Sequence, residues 1–170
     1  GCGVCSERIS RHNRLRNIVF NCARKGALSP ILEANNLLLG PSRPGDVFLP
    51  VWNRGAAAAF DLTVVSSLQP SFINHADSSL VSSALDSAKS RKIAKYENSC
   101  KSMAFDFFPL AVEVLGGWES SAIKILKRLA FLASTRFQEE EIKHSNYLMQ
   151  QLSISLQKSN ENMISSCYFI

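Results

Sequence analysis

Apolar residues recur at three- and four-residue steps through Leu15, Ile18, Val19 and Cys22. This spacing predicts an amphipathic helix from about Ser10 to Lys25, stopped by Gly26. Ser29-Pro30 restarts a short helix through Asn35, with serine as N-cap and proline in the first turn. Leu37–Leu39 is a brief apolar run closed by Gly40-Pro41 and reads as a short strand. After Pro44-Gly45 the segment Asp46–Val51 reads as extended, and Asn53-Arg54-Gly55 supplies turn chemistry. Ala58–Ser66, with Thr63 and the Val64-Val65 pair, reads as the returning strand, so Asp46–Ser66 is predicted to be a hairpin.

Further on, Asp77 or Ser78 is placed to cap a long helix running to about Ser99. Phe105–Leu115 is a β-branched and aromatic run closed by Gly116-Gly117, the pattern of a buried strand. Two more helices follow, at about Glu119–Phe137 and Glu141–Ser165, the second with Leu148, Leu152, Leu156 and Ile164 on one stripe. The predicted order is helix, short strand, hairpin, helix, strand and two added helices, a mixed α/β layout.

Composition narrows this picture only a little. The 170 residues, 46% hydrophobic and 19% charged, suit one ordinary globular domain. No apolar run approaches the roughly 20 residues of a membrane helix, and the opening residues lack the apolar segment of a signal peptide. An intracellular protein without a membrane partner is expected, its five cysteines being thiols or metal ligands. The Gly1 start reads as a piece of something longer. Net charge is +5, and its distribution says more than its size. Arg8, Arg11, Arg14, Arg16, Arg24 and Lys25 crowd the first helix, and Lys89, Arg91, Lys92, Lys95 and Lys101 crowd another. Phosphate-binding surfaces gather charge in this way, and so do solvated helix faces.

The hairpin carries the sharpest chemical signal. With Asn53 and Arg54 as the turn, facing residues have numbers summing to 107, which pairs Asp46 with Asp61. Cross-strand partners share a face with Cβ atoms about 5 Å apart. Two such carboxylates repel unless a cation or a shared proton relieves them, and Mg²⁺ favours one or two carboxylates plus phosphate. The plainer alternative is that Asp46 starts a strand and Asp61 pairs with an arginine such as Arg43. On the long helix the stripe Val81, Leu85, Ala88 continues to Lys92, Lys95 and Tyr96, so the basic residues fall on the face that packs against the sheet. Such a lysine could stabilise charge developing on phosphorus, and the alternative is a basic, solvated helix end. Glu33 is a third candidate carboxylate, though a helix-surface glutamate is usually solvated. Cys2, Cys5 and His12 have knuckle-like spacing for Zn²⁺, a set one ligand short. Cys22 is about 15 Å along the helix from His12 and cannot complete it. Trp52 and Trp118 read as packing residues.

Taken together, Arg43-Pro44-Gly45-Asp46, then Asp61, then Lys92-Ile-Ala-Lys95-Tyr96 resembles the PD-(D/E)XK pattern of restriction-like endonucleases in site-specific non-LTR retrotransposons. Cys2, Cys5 and His12 sit where that family carries a Cys-Cys-His-Cys knuckle, with Asn17 where the fourth ligand belongs. The pattern departs from the family's in two places. Gly45 splits the Pro-Asp pair, and Thr63 stands where many relatives carry the motif lysine. In the retrotransposon branch the lysine comes from the following helix, as Lys92 or Lys95 would. The resemblance implies a restriction-endonuclease-like core of helix–three strands–helix–strand over residues 13–118. A knuckle remnant at 1–12 and a helical extension at 119–170 would flank it. It also implies one or two Mg²⁺ ions on Asp46 and Asp61 with Glu33 assisting, and catalysis by Lys95 or Lys92. Nucleic acid would be bound through Arg11, Arg14, Arg16, Lys92, Lys95 and Tyr96. The implied setting is nuclear, with target DNA, the element's RNA and an upstream reverse transcriptase domain as partners. A catalytically inactive nucleic-acid-binding module and a decayed element fragment are the competing expectations.

Overall fold

The computed structural model describes residues 3–38, 43–68, 80–137 and 140–168. Helix α1 (Gly3–Lys25) leads into strands β1 (Ile31–Leu32), β2 (Val47–Asn53) and β3 (Ala56–Val65). Helix α2 (Leu80–Ser102), strand β4 (Phe105–Glu113) and helices α3 (Ser120–Phe137) and α4 (Glu141–Tyr168) follow. Among the described residues this is a mixed α/β domain with one four-stranded sheet and four helices.

The sheet runs β1-β2-β3-β4, antiparallel through the first three strands and parallel between β3 and β4. The parallel pair requires a crossover, and α2 supplies it. Period-two alternation then gives the sheet two different faces. Val47, Leu49, Ala58, Phe60, Leu62, Leu110 and Val112 join one core with Leu15 and Val19 of α1, Leu126 and Leu129 of α3, and Leu152 and Leu156 of α4. Ala59, Phe105 and Phe107 turn the other way and pack with Cys100 of α2, while Val65 and Ala111 meet Ala84, Leu85 and Ala88 of the same helix. Helices α3 and α4 thus share their core with α1 and the sheet. Helix α1 likewise runs unbroken through position 12, where the knuckle was expected to end.

Several local expectations are corrected. The predicted helix from Ser29 to Asn35 is replaced by the two-residue strand β1, which pairs Ile31 with Phe48 and Leu32 with Val47. Positive φ at Ala27, Ser29, Glu33 and Asn36 breaks any helical run there. Leu37 and Leu38 lie in bends and not in a strand, and Leu39 lies outside the described residues, as do the proposed caps Asp77 and Ser78. The hairpin turn is Arg54-Gly55, both with positive φ (49° and 85°), the geometry of a type I′ turn. Asn53 therefore pairs with Ala56, a sum of 109, yet beyond a register shift between Leu49 and Asn53 the pairs Leu49–Ala58 and Val47–Phe60 sum to 107. The bulge compensates for the one-residue error in the turn, and it also lets Trp52 join the face of Val47 and Leu49.

Candidate functional site

Asp46 immediately precedes β2 and continues its ladder: its N–H donates to Phe60 O at 2.7 Å, and its C=O accepts from Glu33 N at 2.8 Å. Gly45 sets this approach. A Cβ there would stand 2.7 Å from the Phe60 carbonyl oxygen, so only glycine lets the chain pass β3 so closely. The glycine between Pro44 and Asp46 is thus what seats Asp46. Past this point β3 has no β2 partner, and the Leu62 N–H donates instead to Asp46 Oδ2 at 2.7 Å. The Asp46 carboxylate thereby stands in for a missing strand neighbour.

Helix α1 brings His12 to the same oxygen. His12 Nε2 lies 3.2 Å from Asp46 Oδ2 and 3.2 Å from Leu62 O, and Nδ1 faces Asn13 Oδ1 at 3.5 Å. Oxygen acceptors at both ring nitrogens favour the imidazolium. The hydrogen bond to Asp46 accordingly raises the His12 pKa above its ordinary value, against the opposing effect of burial.

Asp61 sits inside β3, 7% exposed, on the face toward α2. Lys92 Nζ reaches it at 2.8 Å from Oδ2, and Thr63 Oγ1 donates to it at 3.4 Å. Burial pushes the Asp61 carboxyl up, the Lys92 charge opposes this, and the Asp46 charge adds to the rise. The two acids are therefore close enough to feel each other, and each has a basic partner from a different helix.

The other sequence candidates divide cleanly. Lys95 is fully exposed and sits 4.8 Å over the Tyr96 ring, so of the two lysines only Lys92 touches the carboxylates. Tyr96 is half-buried against Phe107. Glu33 is held by Arg16 and by Arg43, the latter at 2.6 Å, which removes it from the acid pair and removes Arg43 as a partner for Asp61. Arg11 is buried and donates to Asn160, while the exposed Arg14 donates to Ser159. Cys2 lies outside the described residues, and Cys5 and His12 stand on one helix about 10 Å apart along its axis. His12 is already committed to Asp46. Burial also raises the Cys22 and Cys100 thiols to about 11, far from metal-binding thiolates.

Among the described residues no group of three or more His, Cys, Asp or Glu side chains is arranged to hold a metal ion. What remains as a donor set is the carboxylate pair. It suits a hard cation of the Mg²⁺ type, which takes few protein oxygens and fills its shell from water and phosphate, and it does not suit Zn²⁺. Beside the pair opens a cleft of about 690 Å³, to which α1 contributes Arg8, Arg11 and His12 and α2 contributes Lys92. The role of His12 was missed in the sequence because its cysteine neighbours suggested zinc, and its real partner lies 34 residues away. No protein-family model matches the chain, and no curated protein matches it. No helix of the described residues is long and apolar enough to cross a membrane.

Proposed function

We propose that this chain is a Mg²⁺-dependent DNA endonuclease module of restriction-endonuclease-like fold. Within a nuclear retrotransposon protein, it would nick target DNA to prime reverse transcription of the element's RNA by the upstream reverse transcriptase. The observation that carries the reading is the buried Asp61–Lys92 pair within electrostatic reach of Asp46, at the point where β2 begins beside β3. The helix–three strands–helix–strand order with a mixed sheet is also what the PD-(D/E)XK resemblance leads one to expect. A Mg²⁺ ion held by Asp46 and Asp61 would supply Lewis acidity toward a phosphodiester and activate water near neutral pH.

The chain's own groups would do the rest. Lys92 balances Asp61 in the resting site and, beside a bound phosphodiester, offers its ammonium to the charge developing on the phosphoryl oxygens. His12 fixes the Asp46 carboxylate through Oδ2, and the Leu62 N–H holds the same oxygen. Thr63 donates to Asp61 and limits its rotation. Supercoiled plasmid with Mg²⁺ tests the proposal. Wild type is expected to nick it, and Asp61→Ala and Lys92→Ala are expected to lower the rate by about 100-fold or more. Absence of nicking by wild type, or nicking that survives Asp61→Ala, refutes catalysis.

One observation favours a second reading, an inactive nucleic-acid-binding module. Both acids already have basic partners, Asp61 in Lys92 and Asp46 in His12. That reading predicts salt-sensitive DNA binding that Asp46→Ala and Asp61→Ala leave intact or strengthen, with no cleavage.

A further inference from the structure

The cleft beside the acid pair combines two features that seldom share a surface. Arg8, Arg11 and Lys92 bring cationic groups to it, while Leu115, 68% exposed, and Ile164, 59% exposed, leave apolar surface in water at the same place. Arg11 is the unusual member. Only 7% of it is exposed, its Nε is buried without a hydrogen-bond partner, and its guanidinium is held by one contact, Nη1 to Asn160 Oδ1 at 2.9 Å. Asn160 is fixed in turn, donating from Nδ2 to the Val114 carbonyl. A buried cation usually has an acid beside it. Here burial and the like charge of Arg8 both disfavour the Arg11 charge, and Glu113, which favours it, spends its carboxylate on Ser67 and Leu115 N. The cleft is thus short of negative charge, preorganised around one arginine, and lined in part with apolar groups.

We propose that this cleft binds one unpaired nucleotide of a nucleic-acid strand, its phosphate against Arg8 and Arg11 and its base against Leu115 and Ile164. A volume of about 690 Å³ lies in the range of small-ligand sites, about 300–1,000 Å³, and admits a single nucleotide. A base still stacked in a duplex cannot enter such a space, so the ligand must be single-stranded or flipped out. Because His12, Thr63 and Lys92 belong both to the cleft and to the acid pair, the nucleotide would adjoin the phosphodiester at Asp61. The inference takes its ligand class from the nucleic-acid reading above but does not depend on cleavage.

Fluorescence anisotropy of labelled oligo(dT), oligo(rU) and a duplex of equal length, all in EDTA so that no strand is cut, measures this directly. Wild type is expected to prefer a single strand over the duplex. The exposed Arg8→Glu is expected to weaken single-strand binding by about tenfold or more, and Leu115→Ser to weaken it less. Lys127→Glu, the same charge change on α3, which contributes nothing to the cleft, is expected to shift binding by no more than about twofold. An oligonucleotide carrying 2-aminopurine should change its emission on binding wild type but not Arg8→Glu. Equal loss in Arg8→Glu and Lys127→Glu, or a duplex bound as tightly as a single strand, overturns the cleft. If Asp61→Asn keeps the Arg8-dependent binding while wild type never nicks plasmid, the endonuclease reading fails and the cleft stands.

Discussion

Asp61 is held at an energetic disadvantage that its neighbours only partly relieve. Its folded pKa is raised, first by burial, so the folded state binds a proton there more tightly than the unfolded chain does. The sign follows: the contribution of Asp61 to stability is fully present below the unfolded carboxylate value of 3.8 and is lost as pH rises through the higher folded value. At neutral pH the ionised side chain therefore works against folding. Asp61→Asn is expected to leave stability unchanged or raise it by about 1 kcal/mol while abolishing nicking, the pattern of a residue kept for function. Lys92→Met should do the reverse. It leaves a buried carboxylate without its cation and is expected to cost about 1–3 kcal/mol at pH 7. That cost should shrink as pH falls and Asp61 protonates. Urea unfolding of both variants in steps from pH 7 to pH 4, close to the unfolded value, checks the pair of effects, and a Lys92→Met penalty constant over that range contradicts this account.

At the scale of elements, the start of α3 shows a carboxylate in the opposite situation. Glu119 precedes the helix and is 4% exposed, and its Oε2 accepts from the N–H groups of Ser121 and Ala122 at 2.8 and 3.0 Å. Lys89 of α2 donates to Oε1 at 3.0 Å, tying the crossover helix to the start of α3. Burial alone would raise this carboxyl, but the hydrogen bonds from Ser121, Lys89 and Ala122 outweigh it and hold the pKa at about 2. Stability from Glu119 is therefore present above its unfolded value of 4.5 and is lost as pH falls toward 2. Glu119→Ala is expected to cost on the order of 2–3 kcal/mol at pH 7 and much less at pH 2, measurable by thermal melts at the two pH values. Sequence pattern located such elements well where apolar spacing persists over many residues, as in α1, α2, β4, α3 and α4. It failed at β1, because a two-residue strand is defined by its pairing with Phe48 and Val47 and leaves no period of its own. The β2–β3 register from Val47 to Leu49 was readable although the turn was placed one residue early, since the bulge beyond Leu49 offset the slip. Lys92 could be read from the apolar stripe of its helix. His12 could not be assigned to Asp46, because nothing local to His12 encodes a contact made between a helix and a distant strand end.

For the whole molecule, the question is whether the site rests on the sheet and α1 alone or on everything packed beneath them. Leu152 and Leu156 of α4 are fully or almost fully buried in the same core as Leu15 and Val19 of α1, Phe60 of β3 and Leu126 of α3. Helix α4 also clamps α1 through Asn160 on Arg11 and Ser159 on Arg14. His12 lies between Arg11 and Leu15 on α1, so displacing α4 would move the partner of Asp46 as well as the wall of the cleft. A core shared by α1, α3, α4 and the sheet predicts that these elements unfold in one transition. Leu152→Ala should destabilise the entire domain by about 2–5 kcal/mol, because its surroundings come from several elements and cannot collapse locally. Trp52 lies in this core on the far strand β2, in edge contact with Phe60 at 4.9 Å, and offers a probe remote from α4. In Leu152→Ala, made in a Trp118→Phe background so that Trp52 alone reports, the tryptophan fluorescence and far-ultraviolet circular dichroism transitions should shift together to lower urea with an unchanged slope. If the helical signal instead melts first while tryptophan fluorescence holds its wild-type midpoint, α4 is a detachable extension. The acid pair and its cleft would then have to be explained without α4.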